Sequence, residues 1–332
     1  MKTTFTLLVS LLGFVNLAFA GVITVSNRPG DSAQFSSLQD AINSASAGDS
    51  IYISGSLQDY GSAVISQKLT LIGPGFNPNK EQPLKASIYS IVLDTGSDGS
   101  AFVGLIIQQS ISANYVEVND ILVSRCEVGG IYAYSTDENN FQANWVVENC
   151  IVYYIWSQGF NGNHNWLIIN NLIRDSVYDI NFSQISNNVF HNSNNPAFYL
   201  TEFCVIANNI LYNSNPTGVE NSTFSNNLSF GGFTPDIPYG SNGGLGNIVG
   251  QNPLFVNVPD VNFSHTYDYS LQAGSPGIDA GIDGTDMGLF GGNGFIATGE
   301  PSLPVVTVLT ILNPIVPLNG QISVQVQGRA NK

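Results

Sequence analysis

The stretch Asn187-Asn188-Val189-Phe190 carries the pattern that decides the fold, because close copies of it recur along the middle of the chain. The copies are Arg125-Cys126-Glu127-Val128, Asn149-Cys150-Ile151-Val152, Asn170-Asn171-Leu172-Ile173, Asn208-Asn209-Ile210-Leu211 and Asn226-Asn227-Leu228-Ser229. From one copy to the next, the second residues are 24, 21, 17, 21 and 18 positions apart. Strand-length apolar runs separated by polar turns at such intervals are not helical repeats. They predict an all-β coil of short parallel strands, with one turn for each copy.

The second residue of each copy is expected to face the interior. Successive turns of such a coil lie about 4.8 Å apart, so equivalent residues form columns. An interior Asn can bond its own backbone and the Asn of the next turn. The predicted structural ladder is Cys126, Cys150, Asn171, Asn188, Asn209 and Asn227. We expect the cysteines to be free thiols, because parallel in-register side chains point the wrong way for a good disulfide.

Composition excludes several classes of protein. Charged residues make up 10% of the 332 residues, too few to supply amphipathic surface helices. Acidic residues outnumber basic ones 24 to 9, and the net charge of −15 argues against nucleic acid and anionic membranes as partners. The expected partner is a polysaccharide or a component of a cell surface.

Three regions are predicted along the chain. Residues 1–20, with basic Lys2 and an apolar core, have the form of a cleaved signal peptide, so we expect a secreted or cell-surface protein without a membrane span. Residues 21–299 form the β-helix domain, with an N-terminal cap over about 21–67 that contains a helix from Phe35 to Ala45. Residues 300–332 form a β-strand tail that packs on the helix or on a partner.

The chain resembles the right-handed parallel β-helix proteins of the pectin-lyase-like superfamily, as found in secreted bacterial proteins. The resemblance lies in the helix followed by Gly48-Asp49, in Leu69-Thr70-Leu71-Ile72-Gly73, in the Asn-ladder turns and in the closing segments 269–281 and 286–292. It covers roughly residues 22–295. It implies the fold, whereas the activities of the superfamily range from polysaccharide lyases and hydrolases to proteins without a known reaction.

No catalytic residue is predicted. Lyases of this fold need a cationic base beside a bound carboxylate, and Arg125 and Arg174 lie in different columns. The signatures of the hydrolases are missing from the sequence, although loop acids at 137, 138, 175 and 179 could converge. We expect no cofactor; Asp279, Asp283 and Asp286 could hold calcium, but Asp in a Gly-rich segment favours turns.

Aromatic residues supply the candidate binding site. Tyr132, Trp156, Tyr178 and Tyr199 each follow an apolar residue at the same place in successive repeats. If that apolar residue faces the core, the four rings point outward and form a stripe about 14 Å long. Tyr153, Arg174 and His191 are expected nearby. Such a stripe suits stacking on sugar rings.

The interpretations of this stripe remain open. Cross-strand aromatic stacks also stabilise sheets by themselves, and the tail could cover the rings. A polysaccharide lyase or glycoside hydrolase with an atypical site is the alternative to a non-catalytic binding protein. Ice binding ranks last, because the repeats are irregular in length and poor in Thr.

Overall fold

The protein is an all-β parallel solenoid of about nine turns. The computed structural model describes residues 20–77, 80, 83–135, 142–158, 162–191, 196–232, 236–313, 315 and 319–330. The predicted signal peptide, apart from Ala20, and the loop acids Asp137 and Glu138 lie outside the described residues. Every strand pair of the coil is parallel and in register, as the repeats predict.

Two long sheets run along the solenoid, and a strand of each belongs to every turn. In order, the ten-stranded sheet contains Val22–Val25, Ser50–Ile53, Thr70–Ile72, Ala101–Val103, Leu122–Ser124, Val146–Glu148, Leu167–Ile169, Gln184–Ser186, Val205–Ala207 and Thr223–Ser225. The fourteen-stranded sheet contains Ala63–Ile65, Ile91–Leu93, Ile111–Asn114, Glu127–Tyr134, Ile151–Gln158, Leu172–Ile173, Val189–His191, Ile210–Tyr212, Leu228–Phe230 and Ile248–Val249, with Ser87–Ile88, Ile106–Ile107, Val177–Tyr178 and Phe198–Tyr199 alongside. Thr201–Glu202 and Val219–Glu220 form a further parallel pair.

The ladder residues lie in the interior between the two sheets. Asn171, Asn188, Asn209 and Asn227 are completely buried. Each side-chain oxygen accepts from the backbone N–H of the preceding turn, as from Asn171 to Asn188 at 2.9 Å and from Asn188 to Asn209 at 2.9 Å. The column continues through the free, buried thiols of Cys150 and Cys126. These hydrogen bonds place the predicted ladder residues in one interior column.

The residue before each ladder residue forms a corner of the backbone. Arg125, Asn149, Asn170, Asn187, Asn208 and Asn226 all have φ near +55°, a conformation that Asn tolerates better than most residues. Their side chains turn outward, where several bind residues 280–300: Asn149 accepts from Ile296 N at 2.9 Å, and Asn226 donates to the Ala280 carbonyl at 2.9 Å. The pair Asn-Asn therefore combines a corner residue with a core residue.

The N-terminal mouth is covered by the one helix in the described part of the chain, Leu38–Ser44. It is shorter than predicted because Ser37 caps it, accepting from Asp40 N, while Phe35 forms a bridge to Val25. The helix buries Leu38, Ala41 and Ile42. No helix among the described residues is long and apolar enough to cross a membrane.

Residues 255–299 run back along the outside of the fourteen-stranded sheet; we call them the return segment. The segment begins with the antiparallel pair Phe255–Asn257 and Asp268–Leu271. Its Phe255, Tyr269, Met287 and Leu289 bury an outward apolar column. The column consists of Ile151, Leu172, Val189, Ile210 and Leu228.

The tail forms an antiparallel hairpin of Pro304–Ile311 and Val324–Ala330. Leu309 pairs with Val326 and Ile311 with Val324, so these four apolar side chains share one face, and all four are exposed. Glu300 and Arg329 form an ion pair of 3.1 Å at its base. The apolar face is therefore not covered by the described part of the solenoid, and a partner for the tail stays a prediction.

Candidate functional site

The four predicted rings lie in one column on consecutive turns. Register pairs join Tyr132 to Trp156, Trp156 to Tyr178 and Tyr178 to Tyr199. The preceding residues Ile131, Ile155, Val177 and Phe198 are completely buried. Because side chains alternate along a strand, the rings point away from the core. We refer to Tyr132, Trp156, Tyr178 and Tyr199 as the ring ladder.

The rings of the ladder contact one another along its whole length. Centroid distances are 6.2 Å from Tyr132 to Trp156, 5.7 Å from Trp156 to Tyr178 and 5.4 Å from Tyr178 to Tyr199. Planes are tilted by 44–53°, so the rings present partly open faces rather than a closed stack. These distances fall within the range of favourable aromatic pairs.

Two further tyrosines widen the ladder at its first turns. Tyr134 lies 5.4 Å from Tyr132 and 5.2 Å from Trp156, and Tyr154 meets Tyr132 edge-on at 5.1 Å. Gly130 provides the space for Tyr154, since a Cβ there would lie 2.5 Å from that ring. Burial raises the pKa of both added tyrosines. Tyr134 follows Tyr132 by two residues, and Tyr154 precedes Trp156 by two. Because side chains alternate along a strand, this spacing could have placed both tyrosines on the face of the ladder.

The ladder becomes more accessible toward Tyr199. Tyr132, Trp156 and Tyr178 are half-buried, while 50% of Tyr199 is exposed. The tail does not cover the rings with its apolar face, because Leu309 and its three companions on that face are themselves exposed. Among the described residues, the ladder is partly accessible along its length and most accessible at Tyr199.

A shallow cavity of about 530 Å³ lies beside the exposed end of the ladder. Tyr199, Glu202, Glu220 and Tyr239 are among its lining residues. Glu202 and Glu220 are register partners on adjacent turns, so their carboxylates lie on the same side of the solenoid. Neither residue is among the sequence-predicted site residues, although their spacing of 18 residues matches that of Asn209 and Asn227.

Two of the additional predicted residues form a separate pair. The guanidinium of Arg174 lies 4.5 Å from the ring centroid of Tyr153, a cation–π geometry. Tyr153 also meets Phe263 of the return segment, with the centroids 6.1 Å apart. Among the described residues, no ring contact joins Tyr153 to the ladder. The structure therefore does not bring Tyr153 and Arg174 into the stripe.

The prediction that His191 lies at the surface beside the stripe is wrong. The residue is completely buried beneath the return segment, where Nδ1 lies 2.8 Å from the Tyr269 hydroxyl and Nε2 donates to the Val261 carbonyl at 3.0 Å. Burial lowers its pKa, which keeps the ring neutral. The long-range docking of residues 261–269 removes His191 from the surface, and no local pattern could have shown this.

The acids considered for calcium act in turns. Asp286 accepts from Asp279 N at 3.0 Å, and Asp283 accepts from the backbone and hydroxyl of Thr285 at 3.2 and 2.7 Å. The bonds from Thr285 lower the pKa of Asp283. Within the described ranges, no group of three or more potential metal ligands is found.

A second exposed aromatic pair lies on two turns of the ladder but around the corner from it. Phe182 and Phe203 stack 4.8 Å apart and are 44% and 47% exposed. Both have φ near +50°, at a corner where other turns place Asp120, Asn144, Asn165 and Asn221. This pair is an exposed aromatic surface outside the ring ladder, with which binding by the ladder can be compared.

The chain matches no protein-family model, and no curated protein is similar to it.

Proposed function

We propose that this protein is a secreted or cell-surface parallel β-helix that binds a neutral polysaccharide along the ring ladder without cleaving it. The observation that carries the proposal is the in-register column of Tyr132, Trp156, Tyr178 and Tyr199, which is partly exposed and most accessible at Tyr199. Aromatic rings with one accessible face are the groups that stack on the apolar faces of sugars.

The spacing of the ladder suits a chain that lies along the solenoid axis. Turns repeat about every 4.8 Å, which is close to the advance of one pyranose unit in an extended chain. Consecutive rings, such as Trp156 and Tyr178, would then meet successive units. The net charge of −15 favours neutral over strongly anionic chains.

The cavity beside Tyr199 extends the proposed binding surface. Glu202 and Glu220 line it with carboxylate oxygens that accept hydrogen bonds from sugar hydroxyls. The ring ladder would supply stacking energy and the cavity would supply orientation. The buried Asn ladder and the capping helix support a place for this chain in the pectin-lyase-like superfamily, which we include in the proposal.

Glu202 and Glu220 also define the enzymatic alternative, a glycoside hydrolase. The strands that carry these register partners are about 4.8 Å apart, a spacing that would allow the two carboxylates the separation found in retaining glycosidases. Hydrolysis needs the two groups on opposite sides of the scissile bond, whereas these two approach from one face. The geometry therefore favours binding over hydrolysis.

The test is retention of the mature protein on insoluble cellulose and xylan, with polygalacturonate as the anionic comparison. Trp156→Ala combined with Tyr178→Ala should weaken binding about 30-fold, since each stack contributes about 1 kcal/mol. The thermal midpoint should change only modestly. Unchanged binding would refute the role of the ladder, and release of reducing ends or unsaturated products would establish the enzymatic alternative.

The Phe182 and Phe203 pair supplies the matched control. Phe182→Asn combined with Phe203→Asn removes two exposed rings from neighbouring turns and introduces the residue found at equivalent corners. This variant should bind as the unchanged protein does. Equal loss in both double variants would mean that general surface hydrophobicity, rather than the ladder, holds the polysaccharide.

A further inference from the structure

A second cavity, of about 460 Å³, lies between the fourteen-stranded sheet and the return segment. We call it the flank cavity. Its apolar wall includes Phe76, Leu172, Leu289, Phe290 and Phe295. Phe290 is 40% exposed although it faces a concave site, and it meets Phe295 edge-on at 6.1 Å. A volume in this range is typical of a small-molecule site.

The polar end of the flank cavity contains both signs of charge. His265 Nδ1 lies 3.0 Å from Glu127 Oε1, so the carboxylate of Glu127 is paired. Asp268 accepts from Ser270 N at 2.9 Å and is otherwise open to solvent. Lys85 also lines the cavity.

Two donors at this end have no described partner, and they lie alongside the remaining oxygens of Glu127 and Asp268. Lys85 Nζ has no hydrogen bond or ion pair with any described residue, and the same is true of His265 Nε2. The Glu127 carboxylate raises the pKa of His265 and so favours the doubly protonated ring, which donates from Nε2. Two donors beside an apolar wall are complementary to an acceptor that carries negative charge and an apolar body.

We propose that the flank cavity binds a small carboxylate with an aromatic or branched aliphatic body. The carboxylate pairs with Lys85 and His265, and the body packs against Phe76, Phe290 and Phe295. Glu127 holds the imidazole in place through Nδ1. This site is separate from the ring ladder and does not depend on the function proposed for it.

The experiment is calorimetric titration of the full mature chain with 4-phenylbutyrate and with its neutral amide. The acid should bind at least 10-fold more tightly than the amide. Lys85→Gln should remove that difference by weakening the acid alone, whereas Phe290→Ala should weaken both compounds. Lys68→Gln, which removes an exposed cation outside the cavity, is the matched control and should bind as the unchanged protein does.

The proposal is overturned if 4-phenylbutyrate does not bind at millimolar concentration, or if acid and amide bind equally. It is also overturned if Lys85→Gln leaves the difference intact. Thermal unfolding of each variant verifies that it is folded. Because Lys85 Nζ has no described partner, Lys85→Gln should keep the original midpoint, and His265→Gln provides a second variant at the same end.

Discussion

Replacing Asn188 by Leu should destabilise the solenoid from its centre. The Asn188 side-chain oxygen accepts from Asn171 N at 2.9 Å and from Asn171 Nδ2 at 3.1 Å. Its Nδ2 donates to the Ile168 carbonyl at 2.8 Å and to Asn209 Oδ1 at 3.0 Å. Leu has a similar size but can make none of these bonds. The side chain is completely buried, so water cannot replace them.

The magnitude follows from which groups lose a partner. Asn171 Nδ2 keeps its bond to the Val147 carbonyl, and Asn209 Oδ1 keeps the bond from Asn188 N. Asn171 N loses its acceptor, and the Ile168 carbonyl loses the side-chain donor. Two such buried groups cost about 2–6 kcal/mol together. That is a large part of the stability of an ordinary domain, which is about 5–15 kcal/mol.

Equilibrium urea unfolding, followed by tryptophan fluorescence, measures the loss. The buried Trp145 and Trp166, whose rings are stacked 4.8 Å apart, report the integrity of the same interior. Asn188→Cys is the control, because Cys150 Sγ accepts from Cys126 N at 3.4 Å in this column. It should cost less than Asn188→Leu. A loss below about 1 kcal/mol for Leu, or equal losses for both, would refute the reasoning.

The other predictions concern the thiols, a histidine and the tail. Cys126 and Cys150 are free and buried, so a thiol reagent should label them only after denaturation and without prior reduction; a need for reductant would contradict this. Burial lowers the pKa of His164 to about 4, and its Nδ1 accepts from Asn181 N at 3.0 Å. As the pH falls, the unfolded state therefore binds a proton at His164 before the folded state does. The free energy of unfolding should fall by about 3 kcal/mol as the pH drops from 6.5 to 4. Urea titrations of His164→Gln should lack this component. A chain that ends at Leu303 loses the hairpin with its exposed ion pair, so its thermal midpoint should move by less than about 3 °C, and a larger fall would show that the tail packs on the solenoid.

The solenoid could be predicted from sequence because its main contacts repeat locally. Asn188 meets the ladder residues one repeat before and after it, and six successive repeats carry copies of the same pattern. The register of Tyr132 and Trp156 was predictable for the same reason, since each ring lies six residues beyond its ladder residue, whereas Tyr178 lies seven residues beyond Asn171 and is placed by the apolar residue before it.

The return segment could not be predicted in this way, because it makes contacts over more than a hundred residues. Asn149 binds Ile296, and Asn170 donates to the carbonyls of Leu289 and Gly291. No periodicity connects these positions. For this reason the burial of His191 and the flank cavity became visible only in the folded chain.

The two roles of the Asn-Asn pairs explain why the return segment does not cover the ring ladder. The first Asn of each pair is at a corner and fastens the return segment, as Asn170 and Asn226 do. The segment therefore covers the first residues of the following strands, including Leu172. The rings lie farther along the same turn, and Tyr178 is six residues beyond Leu172. Because the return segment is fixed at the corner, it covers the beginning of each strand and does not reach the ring ladder. A binding surface along the solenoid axis requires this arrangement.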